Sequence, residues 1–338
     1  EKVLQLPFVL GAISFFHSVP QDVAPAGGVK LTACLLAKIF ARKITTWNDP
    51  AILAENPEMT VPAGAPAITV VHRTHGSSST AGVTNYMKAA CPAEWPFAGS
   101  TLGDAREGME ATSKYVCADD ATKCWHKDTF FAEGSGGVAG KIASTSYSIG
   151  YIDAGHGHAA NFLEIKLQNK ALTWLDSKDA GNAGIKAAAS EAIAANVLPE
   201  PGDEDWSNGQ LYNMGGANTW PIVLFSYIYL RADQTGTPLE TASLLHTFVD
   251  YVLGPDGQKD LETSFSFAGV PAEVVTLNEK TMEMLQLPAG AEELFHRETK
   301  TTAGKNADPY VLSVKRKSWA DVARAGIDAA DVGEVVLG

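Results

Sequence analysis

Two stretches of this chain, LPFVLGAISFF (6–16) and WPIVLFSYIYL (220–230), are apolar on both of the faces a strand would present. Both are too short to cross a bilayer as a helix, and both are rich in β-branched and aromatic residues, so they read as strands. A strand that is apolar on two faces has to lie between covering layers. That requirement points to an open α/β sheet with helices on its faces. The material for such a core is present, since 45% of the 338 residues are hydrophobic and 19% charged. This balance excludes global disorder and leaves room for two domains of ordinary size or one large one.

The remaining pattern agrees. Val29–Phe40 has apolar residues at helical spacing behind Thr32, a fair N-cap, and a short helix is expected after Pro50. AITVVHR (67–73) reads as a buried strand and SSTAGVTNYMKAA (78–90) as the helix after it, together one βα unit. Ala98–Gly137 is poorly patterned. SYSIGYID (146–153) is strand-like, and Leu172–Ala195 holds a short strand and an alanine-rich helix. Glu200–Gly216, dense in Gly, Asp, Asn and Pro, reads as a crossing between domains. Leu239–Leu253 is an amphipathic helix stopped by Gly254-Pro255, and a last helix is expected near Leu277–Leu285. After Pro288 the composition shifts.

Charge and cysteines narrow the function. A net charge of −13 argues against nucleic acid as the main partner, because phosphate-backbone binding needs a basic face. A small anion held by a few local donors is compatible with an acidic protein. No run of about 18 apolar residues is present, so no membrane-spanning helix is expected. The four cysteines are Cys34, Cys91, Cys117 and Cys124, with no CxxC pair to suggest zinc. Six residues separate Cys117 from Cys124, which read either as a short disulfide loop or as two unrelated thiols.

The sharpest local signal is Val70-Val71-His72-Arg73-Thr74-His75-Gly76-Ser77-Ser78-Ser79-Thr80. An arginine ends a strand, a glycine allows a tight turn, and four hydroxyl residues follow over the first turn of a helix. The first amides of a helix have no internal partners and carry the positive end of its dipole. Hydroxyls there can donate to an oxyanion, and an arginine can fork onto two of its oxygens. On these residues alone, a plain helix cap in a serine-rich loop is the competing reading. The run contains neither GK[ST], so it is not a Walker loop, nor GxSxG, so it is not a nucleophile elbow.

ITVVHRTHGSSSTAGVTNYM, LAKIFARKITTWNDPAILAENP (36–57), SYSIGYID, WPIVLFSYIYL and LGPDGQKDLETSFSFAGVP (253–271), in this order, resemble the landmarks of one family. That family is the phosphate-binding receptors of phosphate ABC importers, in the class II-like part of the periplasmic-binding-protein superfamily. The resemblance covers residues of about 3 to 285. It implies two α/β lobes joined by a hinge, no cofactor, no enzymatic activity, and inorganic phosphate held in the cleft between the lobes. Carried over by position, Arg73, Ser77, Ser78 and Ser79 are the phosphate ligands, with His75, Gly76 and Thr80 orienting them. His75 stands where the family has an aspartate that orients the arginine.

The resemblance also divides the chain. Residues 1–9 would be a hinge strand and first-lobe remnant, 10–215 a complete second lobe with the anion loop, 216–287 the returning part of the first lobe, and 288–338 an extension. The family's opening segment, with its proton-accepting aspartate, has no counterpart here. The expectation is therefore a first lobe completed by a further polypeptide segment or by self-association. The implied location is secreted, periplasmic or cell-surface, with the leader not present in this chain. The competing class is a structural or assembly protein that reuses a binding-protein scaffold with a degenerate site.

Weaker signals favour bland readings. Asp153, His156 and His158 read as a surface loop ahead of a metal site. Glu133-Gly134-Ser135-Gly136-Gly137 reads as a flexible turn ahead of an anion cradle, and Lys315-Arg316-Lys317 as a solvated face.

Overall fold

A computed structural model describes residues 2–74, 77–95, 116–117, 125–126, 128–199, 206, 209–264, 267–297 and 311–313. Seven strands form the main sheet: β1 (Val3–His17), β2 (Thr69–Arg73), β3 (Phe130–Ala132), β4 (Ser148–Asp153), β5 (Leu163–Glu164), β6 (Leu211–Tyr212) and β7 (Ile222–Arg231). Their order is β6-β7-β1-β4-β2-β3, with β5 also paired to β1. The helices used below are α1 (Ala33–Phe40), α2 (Pro50–Glu55), α3 (Ser78–Ala90), α4 (Gly134–Ser144), α5 (Ala154–Ala159), α6 (Ser177–Ala194), α7 (Leu239–Leu253), α8 (Pro255–Ser264) and α9 (Ala272–Met282).

The first apolar stretch is the spine of the molecule. Residues Val3–Ala12 of β1 pair antiparallel with β7, and Ile13–His17 pair antiparallel with β4. One strand therefore belongs to both halves of the sheet. The register shifts between Pro7 and Val9, where proline removes a ladder donor. Helix side chains take up the carbonyls there: Asn278 of α9 donates to Pro7 O (2.8 Å) and Gln258 of α8 to Phe8 O (2.9 Å).

Beyond β4 the sheet becomes parallel, β4 with β2 and β2 with β3, as βα units require. Phe15, Phe40, Trp47, Tyr86 and Tyr151 are buried in the large core on this side. A separate cluster of Leu4, Leu6, Leu230 and Val249 packs α7 against the outer half of β1 and β7. The predicted boundaries hold well: Thr32 caps α1, Pro50 opens α2, and α3 and α7 start and end where the sequence placed them.

Several expectations are corrected. β7 is not covered on both faces throughout, since Tyr229 is 59% exposed and its outer residues are only half-buried. Gly254-Pro255 ends α7, but a new helix, α8, begins at Pro255 itself, where proline suits the first turn. The last helix of that unit starts earlier than predicted, at Ala272. Glu133–Gly137 is no flexible turn but the start of α4, and Asp153 caps α5 where a loop was expected.

The crossing back to β7 is fastened to α6. Glu191 accepts from the amides of Gly215 (2.6 Å) and Gly216 (3.0 Å) and from the Thr219 hydroxyl. Asn169 donates to the carbonyls of Gly216, Ala217 and Thr219. A Cβ at Gly184 would lie 2.2 Å from Asn218 O, so only glycine lets this segment approach the helix.

Candidate anion-binding site

β2 delivers Arg73 to the end of the sheet between two parallel neighbours, and the residue before it is locked in place. His72 is fully buried and stacked on Trp125, with ring centroids 4.2 Å apart and planes 11° apart. Its Nδ1 lies 3.0 Å from Arg73 O and its Nε2 3.0 Å from the Thr129 hydroxyl. A carbonyl can only accept, so Nδ1 carries the proton. Burial pushes the imidazole down to about 4, which keeps it neutral beside the arginine. The Thr74 amide then donates to Ala132 O (2.9 Å), which holds the start of the loop against β3.

His75 and Gly76 lie outside the described residues. The chain resumes at Ser77, the N-cap of α3, whose extended backbone (φ −147°, ψ 130°) lets its Oγ accept from the Thr80 amide at 3.4 Å. Ser78 is exposed, while Ser79 and Thr80 are buried. The amides of Ser78 and Ser79 belong to the first turn and have no acceptor within the helix, and no acidic residue competes for them there. The structure thus places Arg73 at the strand end and Ser77, Ser78 and Ser79 on the adjoining helix start. The Arg73 Nε is buried and has no hydrogen-bond partner among the described residues. A buried guanidinium nitrogen without a partner is costly, and a bound anion would supply the missing acceptor.

Sequence reasoning missed Tyr151. It sits in β4, fully buried against Phe15 and Phe40, and its hydroxyl meets the Thr80 hydroxyl at 2.5 Å and the Arg73 amide at 3.3 Å. Burial pushes the phenol up to about 12. Its signal was present only as membership of the strand-like SYSIGYID, which does not reveal what the ring meets.

The other predicted groups are placed elsewhere. Asp153 accepts from the His156 amide (3.2 Å), and burial raises its carboxyl above the usual range. His158 pairs with Glu164 at 2.7 Å. Among the described residues, no three His, Cys, Asp or Glu side chains are grouped to hold a metal ion. Cys124 and the side chain of Cys117 lie outside the described residues, and so does the loop pairing predicted for them. The disulfide that is described joins Cys34 in α1 to Cys91, the residue that ends α3, across a sequence separation of 57.

Residues 1–256 match the model of the PBP superfamily domain. The phosphate-binding protein PstS of Haemophilus influenzae is 30% identical over 281 residues, which cover 82% of this chain and 71% of the relative. That of Methanocaldococcus jannaschii is 26% identical, covering 85% and 68%. Among solved structures, a high-affinity periplasmic phosphate-binding protein (PfluDING) bound with phosphate superposes with a TM-score of 0.55 at 18% identity, covering 85% of this chain and 77% of that one. The phosphate-binding protein from Stenotrophomonas maltophilia gives 0.55 at 14% identity, covering 82% and 70%. At these identities the structural likeness establishes the α/β, periplasmic-binding-protein-like fold. On the domain match and the identity to PstS together, the chain belongs to the PBP superfamily and, within it, to the phosphate-binding protein PstS family.

Proposed function

We propose that this protein is a non-enzymatic receptor that captures inorganic phosphate outside the cytoplasm for uptake. Phosphate is held at the first turn of α3 by Arg73, Ser77, Ser78 and Ser79, with His75, Gly76 and Thr80 shaping the loop. The observation that carries this reading is the buried Arg73 Nε, without a hydrogen-bond partner among the described residues, on the strand that leads into the start of α3, in a member of the PstS family. In this reading residues 10–215 form the lobe that carries the loop, and 1–9 with 216–287 belong to the other. The test is titration of the purified protein with phosphate, with sulfate as control. A hydrogen bond to a charged group is worth about 1.5–3 kcal/mol net, so Arg73→Ala is expected to weaken binding roughly ten- to a hundredfold. Unchanged affinity in that variant overturns the assignment.

The reading includes a further polypeptide that completes the lobe built on β7. The strand on its outer side, β6, pairs only with Val223 and Ile222, so residues 224–230 have no strand neighbour on that side among the described residues. Tyr229 on that strand and Leu244 and Phe248 on α7 are about half-exposed. Open strand edges beside apolar side chains favour pairing with another chain. The protein is expected to copurify with a second polypeptide or to self-associate. Light scattering showing a stable monomer of 35.8 kDa, with no second band on a gel, refutes it.

A further inference from the structure

We infer that Tyr151 is the positioning residue of the anion site: its hydroxyl ties the end of the strand that carries Arg73 to the first turn of the helix that carries the serines. The inference rests on the phosphate reading above and assigns a role to a residue outside the predicted ligand set.

Three observations converge on it. The Arg73 amide donates to the Tyr151 oxygen at 3.3 Å, and the Thr80 hydroxyl lies 2.5 Å from the same oxygen. One atom therefore bridges residues 73 and 80, the strand end that carries Arg73 and the first turn of α3. Secondly, the bridge comes from a rigid base. Tyr151 is fully buried in the central strand β4, edge-on to Phe15 with centroids 6.1 Å apart and tilted against Phe40 at 6.0 Å. β4 is itself held between β1 and β2. Thirdly, the phenol keeps its proton, because burial pushes its ionisation far above neutral pH. It can accept from the Arg73 amide and donate to Thr80 at the same time.

The consequence concerns preorganisation. An anion gains most from donors that are already in place, because ordering them on binding costs free energy. Tyr151 holds the backbone of Arg73 and the side chain of Thr80 to one atom, which fixes the strand end relative to the helix start.

The test is a double-mutant cycle on the full chain, read by phosphate titration and by urea unfolding. Tyr151→Phe keeps the ring and removes the hydroxyl, and Thr80→Val removes the partner with little change in volume. Each is expected to weaken phosphate binding about tenfold, equivalent to about 1.4 kcal/mol. The double variant is expected to bind no more weakly than the poorer single variant, since both break one bridge. A merely structural role would give additive losses in affinity that follow the loss in unfolding midpoint, and that outcome overturns the inference. So does a Tyr151→Phe variant that binds phosphate as the parent does. If the parent protein itself binds no phosphate, it is the functional reading that fails, and the two failures are distinguishable.

Discussion

Lowering the pH from about 6.5 to about 4.5 is expected to remove up to roughly 5 kcal/mol of folding stability, through two buried imidazoles. His17 is 2% exposed, and its Nδ1 accepts the Val19 amide at 3.1 Å, so it must be neutral at that nitrogen. Burial pushes it down to about 3, and burial likewise pushes His72 down to about 4. In the unfolded chain both titrate near 6.5. Below that pH the unfolded chain binds two protons that the folded chain refuses, so acid favours unfolding. The loss begins at about 6.5 and continues until the folded values are reached. Each proton is worth about 1.4 kcal/mol per pH unit, which gives about 2.7 for the pair. Urea unfolding at a series of pH values between 7 and 4.5 measures this slope directly. His72→Gln should reduce it by one proton, and a parent slope below one proton contradicts the assignment.

Opening the Cys34–Cys91 bridge is expected to cost about 4 kcal/mol, the chain-entropy value for a loop of this length. The Cα atoms are 5.2 Å apart, and the bridge closes a separation of 57 residues that includes α1, α2, β2 and α3. Because Cys91 ends α3, the bridge also anchors the far end of the helix whose first turn carries Ser77, Ser78 and Ser79. The comparison is the urea midpoint of a Cys34→Ala/Cys91→Ala variant with that of the oxidised parent. An unchanged midpoint would mean that the bridge does not restrain the unfolded chain. The variant also separates the two contributions to α3. Loss of stability with the Tyr151 bridge intact tests its C-terminal anchor alone.

Residues near in sequence were legible, because their signals are local. Thr32 caps a helix through its own side chain, Pro50 suits a first helical position, and Gly254 ends a helix. The same holds for the strand that ends at Arg73 and the helix that Ser77 caps, whose signals lie within a few residues of sequence. The apolar runs at 6–16 and 220–230 announced strands because only burial explains so many apolar residues in succession.

What stayed hidden involves partners far apart along the chain. SYSIGYID reads as a strand but cannot say that the Tyr151 hydroxyl meets Thr80, 71 residues away. Cys117 and Cys124 drew attention because they are close in sequence. The bridge that the structure describes joins a cysteine in α1 to the one that caps the end of α3, which only the packing of α1 against α3 brings together. The half-exposed face of β7 was likewise invisible, because an apolar sequence reports a preference for burial and not the presence of a cover. The sequence by itself determined the α/β alternation and the bounds of α3 and α7, both set by interactions a few residues long. Tertiary structure alone decided that one strand, β1, is shared by both halves of the sheet, and that the Tyr151 hydroxyl of β4 meets the Arg73 amide and the Thr80 hydroxyl. Those choices depend on which distant surfaces pack together, and that is decided by the free energy of the whole core.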